Sequence, residues 1–179
     1  HEVFLVIYLD AHHRLIEAFL ALERSERRTV VLVTHDIGEA LRLGDRVVAL
    51  GGRPAPASLA EALASDPTLE RHLGRHVAVD VTPFVAENTA AFADGAVVQV
   101  APNADLGLPV HLVYVTAPGT AGASHTRNLI VIGQGARAAL IESYVTLGDA
   151  DTYLTNVVSE VVVGANAWVE HVRIQRESE

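Results

Sequence analysis

Cysteine is absent from the 179 residues. No disulfide frame is open to the chain, and no thiolate is at hand to ligate a metal or a cluster. Basic residues are also scarce: 13 Lys plus Arg stand against 22 Asp plus Glu, a formal net charge of −9. That balance, with no basic stripe, argues against non-specific binding to nucleic acid or to an anionic membrane surface. Long apolar runs are missing too. The opening run Val3 to Leu9 is too short to span a bilayer and carries no basic n-region or cleavage site. What is present is an apolar half of the composition, enough for a sizeable core in one ordinary domain or two small ones. An opening at His1 rather than Met is compatible with a piece of a longer protein.

The last third sets the pattern. Asp94-Gly95-Ala96, Gln134-Gly135-Ala136 and Ala165-Asn166-Ala167 each place Gly or Asn at a turn, then Ala, then apolar residues on alternate positions. Gly and Asn accept positive φ at little cost, and a period of two turns one side of each strand inward. A turn–strand unit recurring every few tens of residues suggests stacked coils with outer loops of uneven length. A right-handed parallel β-helix fits, with a β-sandwich as the rival. The lack of clean two-residue hairpin turns favours the first.

Upstream, residues 3–9 read as a strand and residues 10–24 as an amphipathic helix, with Leu15, Ile16, Phe19 and Leu20 on one side. Residues 29–33 read as a second strand. Asp36 and Glu39 open a short helix that Gly44 closes, and Arg46 to Leu50 is a third strand. Strand–helix–strand order predicts a small parallel α/β segment. Pro54 and Pro56 then read as a linker. Ser58 and Glu61 cap a helix over Leu59 to Ala64, and Asp66-Pro67 opens a second short helix ending at Gly74. From Val77 onward the character is strand and turn, with breaks at Pro118-Gly119 and Leu147-Gly148-Asp149.

Two resemblances follow. SHTRNLIVIGQGARAALIESYV and YLTNVVSEVVVGANAWVEHVRIQRES resemble the core of the SufB/SufD family, on its SufD side, over about residues 58–179. That likeness implies a right-handed parallel β-helix acting as a scaffold in SUF-type iron–sulfur cluster assembly. It implies a SufB-like partner and a SufC-like ATPase, whose docking region is absent here, and a cluster assembled by the complex rather than bound by this chain alone. No cluster-assembly residue of the family falls on a matched position.

VVLVTHDIGEALRLGDRVVALGGRP resembles the end of an importer-type ABC ATPase domain, over residues 1–54. There His35 matches the switch histidine that meets the γ-phosphate, and Asp10 falls in a D-loop-like Leu9-Asp10-Ala11. Without a G-x-x-x-x-G-K-[ST] loop or an ABC signature loop, nothing cradles the phosphates, so both positions read as vestigial and no ATPase activity is expected. The division expected is 1–54, a linker with short helices at 55–76, and a partial core at 77–179. A natural fusion and an artefactual join are both open.

Other residues invite chemistry and are read as structural. His72 and His76 stand four apart, but Gly74 between them lies past the helix end, so no metal site is assigned. His12-His13 read as surface residues. Glu142, Glu160, Glu170 and His171 fall in strands, and Glu170 and His171, being adjacent, point to opposite faces. Ser124, His125 and Thr126 lack the partners of a nucleophile triad. The expectation is a non-catalytic, cytoplasmic, SufD-like scaffold without nucleic-acid or membrane partners. The alternatives are a truncated ABC ATP-binding fragment and a β-helical interaction module without cluster function.

Overall fold

The structure, a computed structural model, describes residues 29–35, 46–50, 57–107, 109–116, 122–146 and 152–177. The elements are β1 (Thr29–His35), β2 (Arg46–Leu50), β3 (Ala57–Ser58), α1 (Leu59–Ser65), a 3-10 helix (Pro67–His72), α2 (Pro83–Ala91), β4 (Ala96–Val100), β5 (Val110–Thr116), β6 (Gly122–Ile132), β7 (Arg137–Thr146), β8 (Tyr153–Val163) and β9 (Trp168–Arg176). The strands form two sheets, ordered β2-β1-β5-β7-β9 and β3-β4-β6-β8.

From β4 onward the chain alternates between these sheets, and each strand pairs in parallel with the strand two places along. The register is nearly constant. Val97 pairs with Leu129 and Leu129 with Glu160, while Val110 pairs with Leu140 and Leu140 with His171. Fixed spacing puts like positions on like faces. Ala96, Val98 and Val100 of β4, Leu112 and Tyr114 of β5, Ile130 and Ile132 of β6, and Ala138, Leu140 and Tyr144 of β7 meet in one buried core between the sheets. The period of two read from the sequence is thus the period that fills this interior.

The turns that keep the register stack directly on one another. Asn103, Gly135 and Asn166 all have φ near +60°, and each is followed by Ala. The Asn103 N–H donates to the Gln134 carbonyl and the Gly135 N–H to the Ala165 carbonyl. Two of the three turns expected from sequence are therefore found, at Gly135 and Asn166. The third is corrected: Asn103-Ala104 is the equivalent of Gly135-Ala136, and Gly95 is not among the positive-φ residues. Gly95 is required for room, because a Cβ there would lie 1.7 Å from the Arg127 carbonyl oxygen.

Two further expectations are corrected. β1 and β2 pair antiparallel, with Val30 opposite Leu50, and β1 runs parallel to β5. A parallel crossover needs a dozen or more residues, which the ten between β1 and β2 do not supply. The strand-and-turn reading beyond Val77 also missed α2. Its start is written locally: Thr82 Oγ1 accepts from the Val85 N–H, and Pro83 occupies the first turn, where no amide donor is needed. The strand and helix expected over 3–9 and 10–24, the helix at Asp36–Gly44, the linker prolines and the breaks at 118–119 and 147–149 lie outside the described residues.

The short helices behave as their caps dictate. Ser58 Oγ accepts from the Glu61 N–H at 3.2 Å to start α1, and Asp66 accepts from the Thr68 N–H to start the 3-10 helix. Leu59, Ala62 and Leu69 then cover Val97 and Leu129 on the outer face of the β4–β6 sheet.

Gly95→Ala should lower stability by about 1–3 kcal/mol, since the clash is with backbone and cannot be relieved by a rotamer change. Urea denaturation measures this; an unchanged midpoint would mean that Gly95 does not press on β6.

Candidate functional site

Alternation carries some charged residues into places where charge is costly, and two carboxylates there organise their surroundings. Glu142 on β7 faces the interior with its side chain 1% exposed. One oxygen accepts from Ser159 Oγ at 3.0 Å and lies 3.2 Å from His171 Nε2, and the other accepts from the Tyr144 hydroxyl at 2.8 Å. Asn128 extends the chain of contacts, donating to Ser159 Oγ at 3.1 Å and accepting the Ala96 N–H at 2.9 Å. Hydrogen bonds therefore run from β4 through β6 and β8 to β7 and β9.

Burial pushes the Glu142 carboxyl up, but the bonds from His171, Tyr144 and Ser159 outweigh it and hold it below its ordinary value. The same contact raises His171 above its ordinary value, against the effects of burial and of the Arg173 charge. Burial raises the Tyr114 and Tyr144 hydroxyls. Their rings stack with centroids 4.6 Å apart, and the Arg173 guanidinium lies 4.6 Å from the Tyr144 ring centre.

Glu160 on β8 is buried on the other side of its sheet, beneath the segment that joins the 3-10 helix to α2. It pairs with Arg127 of β6 at 2.5 Å, and the two side chains are 0% and 2% exposed. It also accepts the N–H groups of Gly74, Arg75 and His76 at 2.8, 3.1 and 3.1 Å. Burial pushes this carboxyl up; the backbone donors and Arg127 bring it below its ordinary value. Arg127 reaches on to Asn88 and Thr89 of α2. Asn88 donates to the Thr126 and Asn156 carbonyls, and Asn156 donates to the Phe84 carbonyl, so α2 is fastened across β6 and β8. A similar tie holds α1, where Asp94 accepts from Ser58 Oγ and the Ala60 N–H.

Of the residues singled out from sequence, Glu142 and His171 are brought together, whereas Glu170 is exposed. His171 and Glu170 do lie on opposite faces, as their adjacency requires. His76 meets Glu160 only through its backbone. His125 lies 3.8 Å from Glu87 and joins no triad. Asp10 lies outside the described residues, as does the His35 side chain; the His35 backbone ends β1 opposite Thr116. Among the described residues, no three His, Asp or Glu side chains group so as to hold a metal ion. Sequence reasoning missed Arg127, Asn128, Tyr144 and Ser159. The recurring turns at Gly135 and Asn166 held the signal, since a repeat of 31 sets Leu140 beside His171 and Glu142 one inward position further on.

Comparison with known proteins gives a family model and relatives of two kinds. Residues 114–179 match the family model for the SUF system FeS cluster assembly, SufBD core domain. An iron–sulfur cluster assembly SufBD family protein of Synechocystis sp. is 36% identical over 99 residues, covering 51% of this chain and 22% of that protein. Two aliphatic sulfonates import ATP-binding proteins also match over 58 residues, one from Pseudomonas savastanoi pv. phaseolicola at 43% identity and one from Pseudomonas syringae pv. tomato at 41%. They cover 27% of this chain and 24% and 25% of their own lengths. The chain thus spans about a quarter or less of each of these relatives.

Glu160→Ala should cost about 3–5 kcal/mol, because it leaves Arg127 buried without its counter-charge. It should also speed trypsin cleavage after Arg75, whose N–H loses its acceptor. The carboxylate's contribution is present above its ordinary value of 4.5 and is lost as the pH falls through its lowered native value. Glu160→Gln should accordingly flatten the acid limb of the stability curve below pH 4.5, as read by denaturation across pH.

Proposed function

We propose that this chain, whose residues 114–179 match the SufBD core domain, serves as a SufD-like scaffold component in SUF-type iron–sulfur cluster assembly. The observation that carries the reading is the agreement between that match and the fold: the matched span begins on β5 and takes in β6 to β9, with β6 paired in parallel to β8 and β7 to β9. Strands that alternate between two sheets in constant register suit the coils of a right-handed parallel β-helix. The SufBD relative of Synechocystis supports the same direction.

In this role the chain works by presenting surfaces, and its own residues perform no chemistry. The cluster is cargo of the complex, and a cysteine-free chain supplies it no thiolate. The partner proposed is a SufB-like scaffold, with a SufC-like ATPase in the same assembly. We place the protein in the cytoplasm on the same resemblance. Among the described residues no helix is long and apolar enough to cross a membrane.

The matches to sulfonate-import ATP-binding proteins favour a second reading, a fragment of an ABC ATPase. It requires a nucleotide site, and the sequence holds no phosphate-binding loop to build one.

Mixed with a SufB-like scaffold and its ATPase, the chain should co-elute at a defined stoichiometry in size-exclusion chromatography with light scattering. Elution alone would contradict the scaffold role. Calorimetric titration with Mg-ATP should show no saturable binding; saturable binding lost in His35→Ala would favour the ATPase fragment instead.

A further inference from the structure

His171 stands on β9 with its side chain partly exposed. β9 is the last strand of its sheet and pairs with β7 alone among the described strands. On β9, Trp168 and Val172 are exposed at 53% and 41%, so the outward face of this strand is held by little apolar burial. The inward face carries the polar hold. His171 Nε2 lies 3.2 Å from a Glu142 oxygen that also accepts from Ser159 of the facing sheet. The imidazole is 30% exposed and the carboxylate 1%, so a proton can reach the histidine from solvent while its partner stays enclosed.

Each neighbouring element contributes to the electrostatics of this position. β7 supplies Glu142 and the Tyr144 hydroxyl that donates to it; β5 supplies Tyr114, stacked on Tyr144. β8 supplies Ser159 and β6 supplies Asn128, both neutral. β9 itself supplies Arg173, which lies over Tyr144 and is the cation bearing on His171 among the described residues. The full negative charge facing His171 is Glu142.

We propose that His171 and Glu142 form a protonation-dependent clasp that fixes β9 onto β7 and β8, holding this strand tightly when His171 is cationic and loosening it when His171 is neutral. This inference does not rest on the role in cluster assembly. The direction follows from linkage. His171 has its pKa raised by the bond to Glu142, so its contribution is complete below its ordinary 6.5 and is lost as the pH rises through the higher native value. Glu142 has its pKa lowered despite burial, so its contribution is complete above its ordinary 4.5 and is lost as the pH falls through the lower native value. The clasp is tightest between pH 4.5 and 6.5. Above that window β9 opens more readily than β6.

The test is hydrogen exchange of the β9 amides in the whole chain at pH 6 and pH 8.5, corrected for intrinsic exchange, beside an NMR titration of the histidine rings. A charge-assisted hydrogen bond exceeds a neutral one by enough to change local opening about fivefold. Protection of β9 should fall by about that factor at pH 8.5 while β6 stays protected, and His171 should titrate above 6.5. His171→Gln should abolish the pH response and His125→Gln should retain it. Titration of His171 at or below 6.5 overturns the proposal, as does equal pH dependence of β9 protection in wild type and His171→Gln. Should His171→Gln fail to fold, the wild-type titration alone decides.

Discussion

The parallel register between successive strand pairs is the constraint on which the other features depend. Once Val97 is set against Leu129 and Leu129 against Glu160, every side chain in those strands is assigned to the interior or to the outside. A slip of one residue would turn Ile130 and Ile132 out and Leu129 and Arg127 in. The stacked turns at Asn103, Gly135 and Asn166 hold that register against slippage, because each amide bonded to the next turn fixes the count of residues between them.

The same register explains why two buried carboxylates persist in a chain with so acidic a surface. Glu142 lies between the two sheets and Glu160 on the outer face of the β4–β6–β8 sheet, and they are compensated by different means. Glu160 gathers a guanidinium and three backbone donors, and in doing so anchors the segment over residues 74–76. Glu142 gathers side chains alone: Ser159 from across the interior, His171 from the adjacent strand and Tyr144 from its own strand. The first arrangement fastens the lead-in helices to the sheet; the second ties the two sheets to each other. Removing Glu160 leaves the buried Arg127 without its counter-charge, and removing Glu142 leaves the buried Tyr144 hydroxyl without its acceptor.

Much of the β region was legible because its signals are local. Gly135 and Asn166 announce turns through backbone chemistry, and the alternation after them announces an inward face. Ser58 and Asp66 announce helix starts in the same way. Gly95 misled because glycine serves two ends, positive φ and close approach, and only the spatial neighbour Arg127 distinguishes them. α2 was passed over because its apolar residues do not line one side; it is held by Asn88 and by the Arg127 contacts to Asn88 and Thr89. The Glu142–His171 pair and the Arg127–Glu160 pair join residues about 30 positions apart. No local pattern reports such contacts; they follow only when the coil length is known.

The absence of native cysteine makes the central claim directly measurable. Ala139 and Glu170 are register partners on β7 and β9 and face outward. With Ala139→Cys and Glu170→Cys introduced together as the sole thiols, oxidation should close a disulfide in the folded chain, since paired strands hold Cα atoms within bridging distance. The shifted pairs, Ala139→Cys with Val169→Cys or with His171→Cys, should stay reduced under the same conditions, because the second thiol then faces inward. Efficient closure of a shifted pair, with Ala139 and Glu170 unlinked, would contradict the register and with it the arrangement of both buried carboxylates.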